Sequence, residues 1–154
     1  MKLAALHSQL LGDWIGENQL WLDPKEPPQV SPSTLTVAPT AQGKFLTLAY
    51  TWAFEGKVQE GLLLVGDNNK DSIASAGWVD SFHQSGKVMQ CIGSVEGSGF
   101  AVSCHYPAPP GPDWGWRLSV NASAAGELIF EMHNVPPGGD AELAVRAVYQ
   151  RPRG

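Results

Sequence analysis

Near its start the chain carries Gly12-Asp13-Trp14-Ile15-Gly16. Two glycines bracketing an indole let the backbone bend and pass close to a neighbour, while the Trp is bulky enough to plug whatever the chain encloses. Upstream, Leu3, Leu6, Leu10 and Leu11 recur at three- and four-residue spacing, which predicts a short amphipathic helix over 3–11 stopped by Gly12. Downstream, alternating segments are punctuated by turn residues about every 8–12 positions. They predict strands over 13–22, 33–40, 45–54, 58–65, 72–82, 88–96, 99–106, 116–121, 127–134 and 141–151.

Two turns fix local register. A two-residue turn at Glu55-Gly56 sets Tyr50 opposite Gly61 and Trp52 opposite Gln59, a large aromatic filling the space over a glycine. Gly97-Ser98 suits a type II′ turn and sets Cys91 opposite Cys104. A further turn is read at Gln84-Ser85-Gly86, and the Pro-rich stretch 107–113 reads as a stiff loop. Strands that follow one another through hairpins favour an up-and-down closed sheet over a sandwich, which needs longer crossing connections. The fold class is therefore all-β: a ten-stranded antiparallel up-and-down barrel with a short N-terminal helix. Ten strands enclose more space than side chains fill easily, so an interior pocket is expected.

Composition bounds the rest. At 154 residues the chain reads as one domain, 1–154, able to bury roughly 68–70% of its unfolded surface. Charged residues make up only 16%, the net charge is −5 and the ten basic residues are scattered. That arrangement disfavours nucleic acid and an acidic membrane surface as partners. No run approaches the ~18 apolar residues of a membrane span, and the N-terminal run is too short for a signal peptide. A cytoplasmic location is expected, with Cys91 and Cys104 as free thiols.

The opening Gly12–Gly16, Tyr50, the strand from Glu60-Gly61 to Gly66-Asp67, and above all Trp78-Val79-Asp80-Ser81-Phe82 carry a likeness. Together they resemble a bacterial family of single-domain lipocalin-like proteins with no established activity, which implies a calycin-type barrel. More distantly the chain is similar to nitrobindin-like barrels, which hold haem through a His on the last strand. Here the last strand has no His, and only Tyr149 offers an iron ligand. No cofactor is therefore expected. The same likeness implies that Arg146 or Arg151 stacks on Trp14 at a closed end.

With Trp14 inward, alternation turns Asn18 inward, groups Tyr50 with Trp52, and groups Trp78 with Asp80. Trp14, Asn18, Tyr50, Trp52, Trp78 and Asp80 are the candidate ligand-binding residues. A buried carboxylate needs a partner, either Arg117, Arg146 or His133, or the polar group of a ligand. His7, His83, His105 and His133 form no local metal-binding pair, and no Gly-x-Ser-x-Gly elbow or phosphate-cradling loop is present. No metal site and no catalytic residue is assigned. The leading expectation is non-enzymatic binding of a small, mostly apolar molecule inside the barrel. The alternatives are a filled barrel that binds protein, an acid–base pair of Asp80 and His133, and haem.

Overall fold

The computed structural model describes residues 1–83 and 86–153. Its ten strands are β1 (Gly12–Leu20), β2 (Gln29–Thr40), β3 (Phe45–Phe54), β4 (Lys57–Gly66), β5 (Ala74–Asp80), β6 (Met89–Glu96), β7 (Gly99–Tyr106), β8 (Trp114–Ala122), β9 (Leu128–Val135) and β10 (Glu142–Gln150). Each pairs antiparallel with its sequence neighbour, and β1 closes on β10 from Ile15↔Gln150 to Leu20↔Val145. The result is the expected closed ten-stranded barrel. Residues 3–10 form a 3₁₀ turn running into one α-helical turn, and Leu3, Leu6 and Leu10 are buried against the barrel.

Both turn-derived registers hold. Tyr50 pairs with Gly61 and Trp52 with Gln59. A Cβ on Gly61 would overlap the Tyr50 ring. Positive φ at both Glu55 and Gly56 makes that turn type I′, whose twist suits the flanking strands. In the β6–β7 hairpin only Gly97 is positive, as a type II′ turn requires, and Ile92 pairs with Ser103. Gln84 and Ser85 lie outside the described residues.

β2 begins four residues before the expected Ser33 and runs through Pro32 and Pro39. The backbone tolerates both prolines because β2 is paired on one side only at each. Pairing with β3 starts at Thr34, and pairing with β1 ends at Val37. β5 starts at Ala74 rather than Ser72, since Asn68, Asn69 and Ser72 all take positive φ and prolong the turn.

The space inside is taken up by side chains. Trp78, Tyr149, Phe100, Phe130, Leu48 and Leu118 are fully buried, and Tyr50 meets Phe130 edge-on at 5.3 Å. Three hollows, of about 810, 450 and 470 Å³, open on the outer wall rather than into the barrel. Among the described residues, aromatic rings therefore fill the middle of the barrel where a pocket is expected.

Candidate functional site

Trp14, Asn18, Tyr50, Trp52, Trp78 and Asp80 all point inward and are at most 5% exposed. They do not form one cluster. Trp14 and Asp80 lie on one hydrogen-bonded row, Trp14↔Leu35↔Tyr50↔Gly61↔Asp80. Barrel strands tilt by about 35–45°, so such a row climbs by roughly 12 Å over four strands about 4.8 Å apart. Trp14 therefore belongs to one end of the barrel and Asp80 to the other.

The Trp14 end is sealed. Its indole Nε1 donates to the Leu10 carbonyl at 2.9 Å, and the Arg151 guanidinium lies 3.8 Å above the ring. Arg151 also donates to the carbonyls of Leu11 (2.6 Å) and Gln9 (3.3 Å), which ties the helix down as a lid. A Cβ on Gly12 would press on the same guanidinium at 2.6 Å. Arg151 rather than Arg146 takes the stacking role; Arg146 instead pairs with Glu131 at 2.6 Å on the outer wall.

At the other end a chain of donors runs inward. Trp78 Nε1 donates to the Tyr50 hydroxyl at 2.9 Å, and that hydroxyl donates to Asp80 Oδ2 at 2.6 Å. Burial and the neighbouring Asp80 carboxylate push the Tyr50 phenol well above its ordinary value, so it stays a donor. Asp80 Oδ1 accepts the backbone N–H groups of Phe82 (2.7 Å) and His83 (3.1 Å). The partners expected for Asp80 were a cationic side chain or a ligand; a phenol and two amides take that place. His133 comes directly after the inward Met132 on β9 and by alternation faces away from the interior, so it and the inward Asp80 are not assembled as an acid–base pair.

By holding those two amides, Asp80 fixes the segment that covers the end. The His83 ring stacks on Trp52 (5.6 Å, 19°) and lies edge-on to Trp116 (5.3 Å, 67°). It is also tilted against Trp78 at 6.1 Å, while Phe82 packs edge-on to Trp52 at 5.1 Å and Tyr106 lies beyond Trp116. The imidazole makes no side-chain hydrogen bond among the described residues, and burial lowers its pKa against the pull of Asp80. Sequence spacing put His83 in a loop and missed it. The signal was present in Asp80-Ser81-Phe82-His83, an acceptor followed two and three residues later by amides it can cap. Asn18 is inward and 5% exposed, and the buried side-chain atom left without a hydrogen-bond partner among the described residues is His133 Nδ1.

Two other predicted features behave as structure. The Tyr149 hydroxyl lies 2.7 Å from Ser33 Oγ, with its pKa pushed up to about 12 by burial, so it is engaged rather than presented to a haem iron. Cys91 and Cys104 are free and buried, and the Cys91 thiol is pushed up first by its hydrogen bond with Cys104 and then by burial. No group of three or more metal-binding side chains occurs among the described residues, and no helix there is long and apolar enough to cross a membrane.

A comparison with curated proteins finds no match. Among solved structures, the chain is similar to that reported as "Crystal Structure of Rv2717c from M. tuberculosis", at 17% identity and a TM-score of 0.65 over 99% of both chains. At that identity the likeness speaks for the fold alone. Residues 4–151 match the family described as "Protein of unknown function (DUF1579)", and the chain belongs to that family.

Proposed function

We propose that this barrel binds a small, planar, mostly apolar molecule at the end opposite Trp14, without catalysis. The observation that carries the reading is His83. An aromatic ring with no side-chain hydrogen bond among the described residues sits between Trp52, Trp116 and Trp78. Such a box suits any flat ring of similar thickness, and the imidazole occupies it as a stand-in. Release of the His83 ring costs stacking but, among the described residues, no side-chain hydrogen bond, whereas an incoming ring regains the stacking and adds apolar area. Asn18, inward on β1 and 5% exposed, would supply a polar contact for the ligand's edge. Trp14 falls outside the site, and Asp80 acts by holding the covering turn. A calycin-type kinship, inferred from the sequence motifs, fits a binding role.

The test is energy transfer from the protein's tryptophans to anilinonaphthalene sulfonate, with unlabelled naphthalene as competitor. Saturable transfer that naphthalene reverses, and that Trp52→Leu weakens at least about tenfold, supports the reading. A folded protein with no saturable binding, or binding indifferent to Trp52→Leu, rejects it.

A further inference from the structure

The barrel wall is not paired along its whole height. Between β6 and β7 the backbone ladder runs from Glu96↔Gly99 to Ile92↔Ser103 and stops there. Yet β6 stays paired with β5 as far as Met89, and β7 with β8 as far as Tyr106. At the end opposite Trp14, residues 89–91 and 104–106 therefore face each other with no ladder pairing among the described residues. Trp78 pairs with Met89 and Trp116 with Cys104, so this gap runs beside the tryptophan box.

Cys91 and Cys104 are the first residues past the last rung. Both point inward, at 5% and 4% exposed, so their side chains project from adjacent strands into the same space. The two-residue turn makes Glu96↔Gly99 a mutually hydrogen-bonded pair, and alternation from there makes Cys91 and Cys104 a non-hydrogen-bonded one. Opposed Cα atoms at such positions lie about 4.5 Å apart, inside the range of about 4.4–6.8 Å that a disulfide spans. The thiols already meet: the acidity of each is set first by its hydrogen bond with the other. Outside, a hollow of about 470 Å³ lined by Ala76, Gln90, Cys91 and Ile92 brings small solutes up to β6 at this point.

We propose that Cys91 and Cys104 form a peroxide-sensitive modification site whose disulfide clasps β6 to β7 across the gap. Cys104 attacks first: its thiol is held below the ordinary value by the hydrogen bond from Cys91, whose own thiol is raised and keeps its proton. The Cys104 sulfur bonds to one oxygen of hydrogen peroxide, the O–O bond breaks, and the departing hydroxide leaves as water with the Cys104 proton. The Cys91 sulfur then attacks the resulting sulfenic acid. The S–O bond breaks as the S–S bond forms, and a second water carries off the Cys91 proton. Two thiols lose two electrons and two protons, and one peroxide becomes two waters.

Hydrogen peroxide added to the native full chain tests this, read by thiol titration and peptide mass mapping, with near-UV circular dichroism showing that the chain and each variant are folded. Both thiols are expected to disappear together, giving a 91–104 cross-link within one chain that dithiothreitol reverses. Amide exchange at residues 89–91 and 104–106 should slow by at least about tenfold in the bridged protein. Cys91→Ser should stop at a Cys104 sulfenic acid that dimedone traps, whereas Cys104→Ser should leave Cys91 at least about tenfold slower to react. Folded protein that keeps both thiols, oxidises each independently to sulfinic acid, or bridges only after urea unfolds it overturns the inference. So does a bridge that leaves exchange across the gap unchanged, and equal rates in the two single variants overturn the role given to Cys104.

Discussion

The two ends of this barrel are closed by opposite means. At the Trp14 end the seal is bonded: an indole N–H to a helix carbonyl, a guanidinium stacked on the ring, and that same guanidinium holding two more carbonyls. At the other end the cover is an imidazole to which the described residues offer ring stacking, with Asp80 holding only its backbone amide. A bonded seal resists opening because each broken bond leaves a polar group without a partner, whereas a stacked ring leaves only apolar faces that another ring can cover. The difference teaches which end is built to stay shut and which, on the proposed reading, exchanges its contents.

Substitutions separate the two ends by size of effect. Trp14→Ala removes the plug and its bond, and is expected to destabilise the fold by about 3–5 kcal/mol in chemical denaturation. Tyr50→Phe leaves both Trp78 Nε1 and Asp80 Oδ2 short of a partner, at about 2–4 kcal/mol. If Tyr50→Phe proved neutral, the donor chain would not be what fixes the open end. Arg151→Ala, at a solvent-exposed group, is expected to cost about 1–2 kcal/mol and to raise hydrogen exchange first in the N-terminal turn.

His83→Ala reverses the pattern: stability changes by less than about 1 kcal/mol while anilinonaphthalene sulfonate binds more tightly, because the box no longer has to be vacated. The same residue carries the smallest signature, in pH. His83 is held neutral when folded and titrates near 6.5 when unfolded, so the unfolded chain takes up the proton first. Its contribution is fully present above that value and is lost as pH falls below it toward the lower folded value. Urea midpoints of wild type and His83→Asn at about pH 8 and about pH 5 should show the larger acid loss in wild type. Equal losses would mean that the ring is not held neutral.

What the sequence disclosed was set by local rules. Glu55-Gly56 and Gly97-Ser98 dictate their hairpins because turn chemistry fixes register within a few residues, and register then decides which face every neighbour occupies. The stacking of an Arg on Trp14 was foreseeable through family likeness alone. The spread of the six inward residues was not legible, because a row that is level in the hydrogen-bond ladder climbs along the barrel axis once the sheet is tilted and closed. Nor was the Asp80 partner, since a phenol two strands away competes with any arginine only when the closed geometry brings it to 2.6 Å. His83 escaped because a loop residue has no periodicity to betray it.

The most direct trial of the exchangeable end is the imidazole proton resonance of His83 in solution, followed while anilinonaphthalene sulfonate is added. Rings of Trp52, Trp78 and Trp116 around it should shift the free-state signal far upfield, and saturation with the dye should move it to the position of a solvent-exposed histidine. A signal that starts at the exposed position, or stays upfield once the dye is fully bound, would contradict the account.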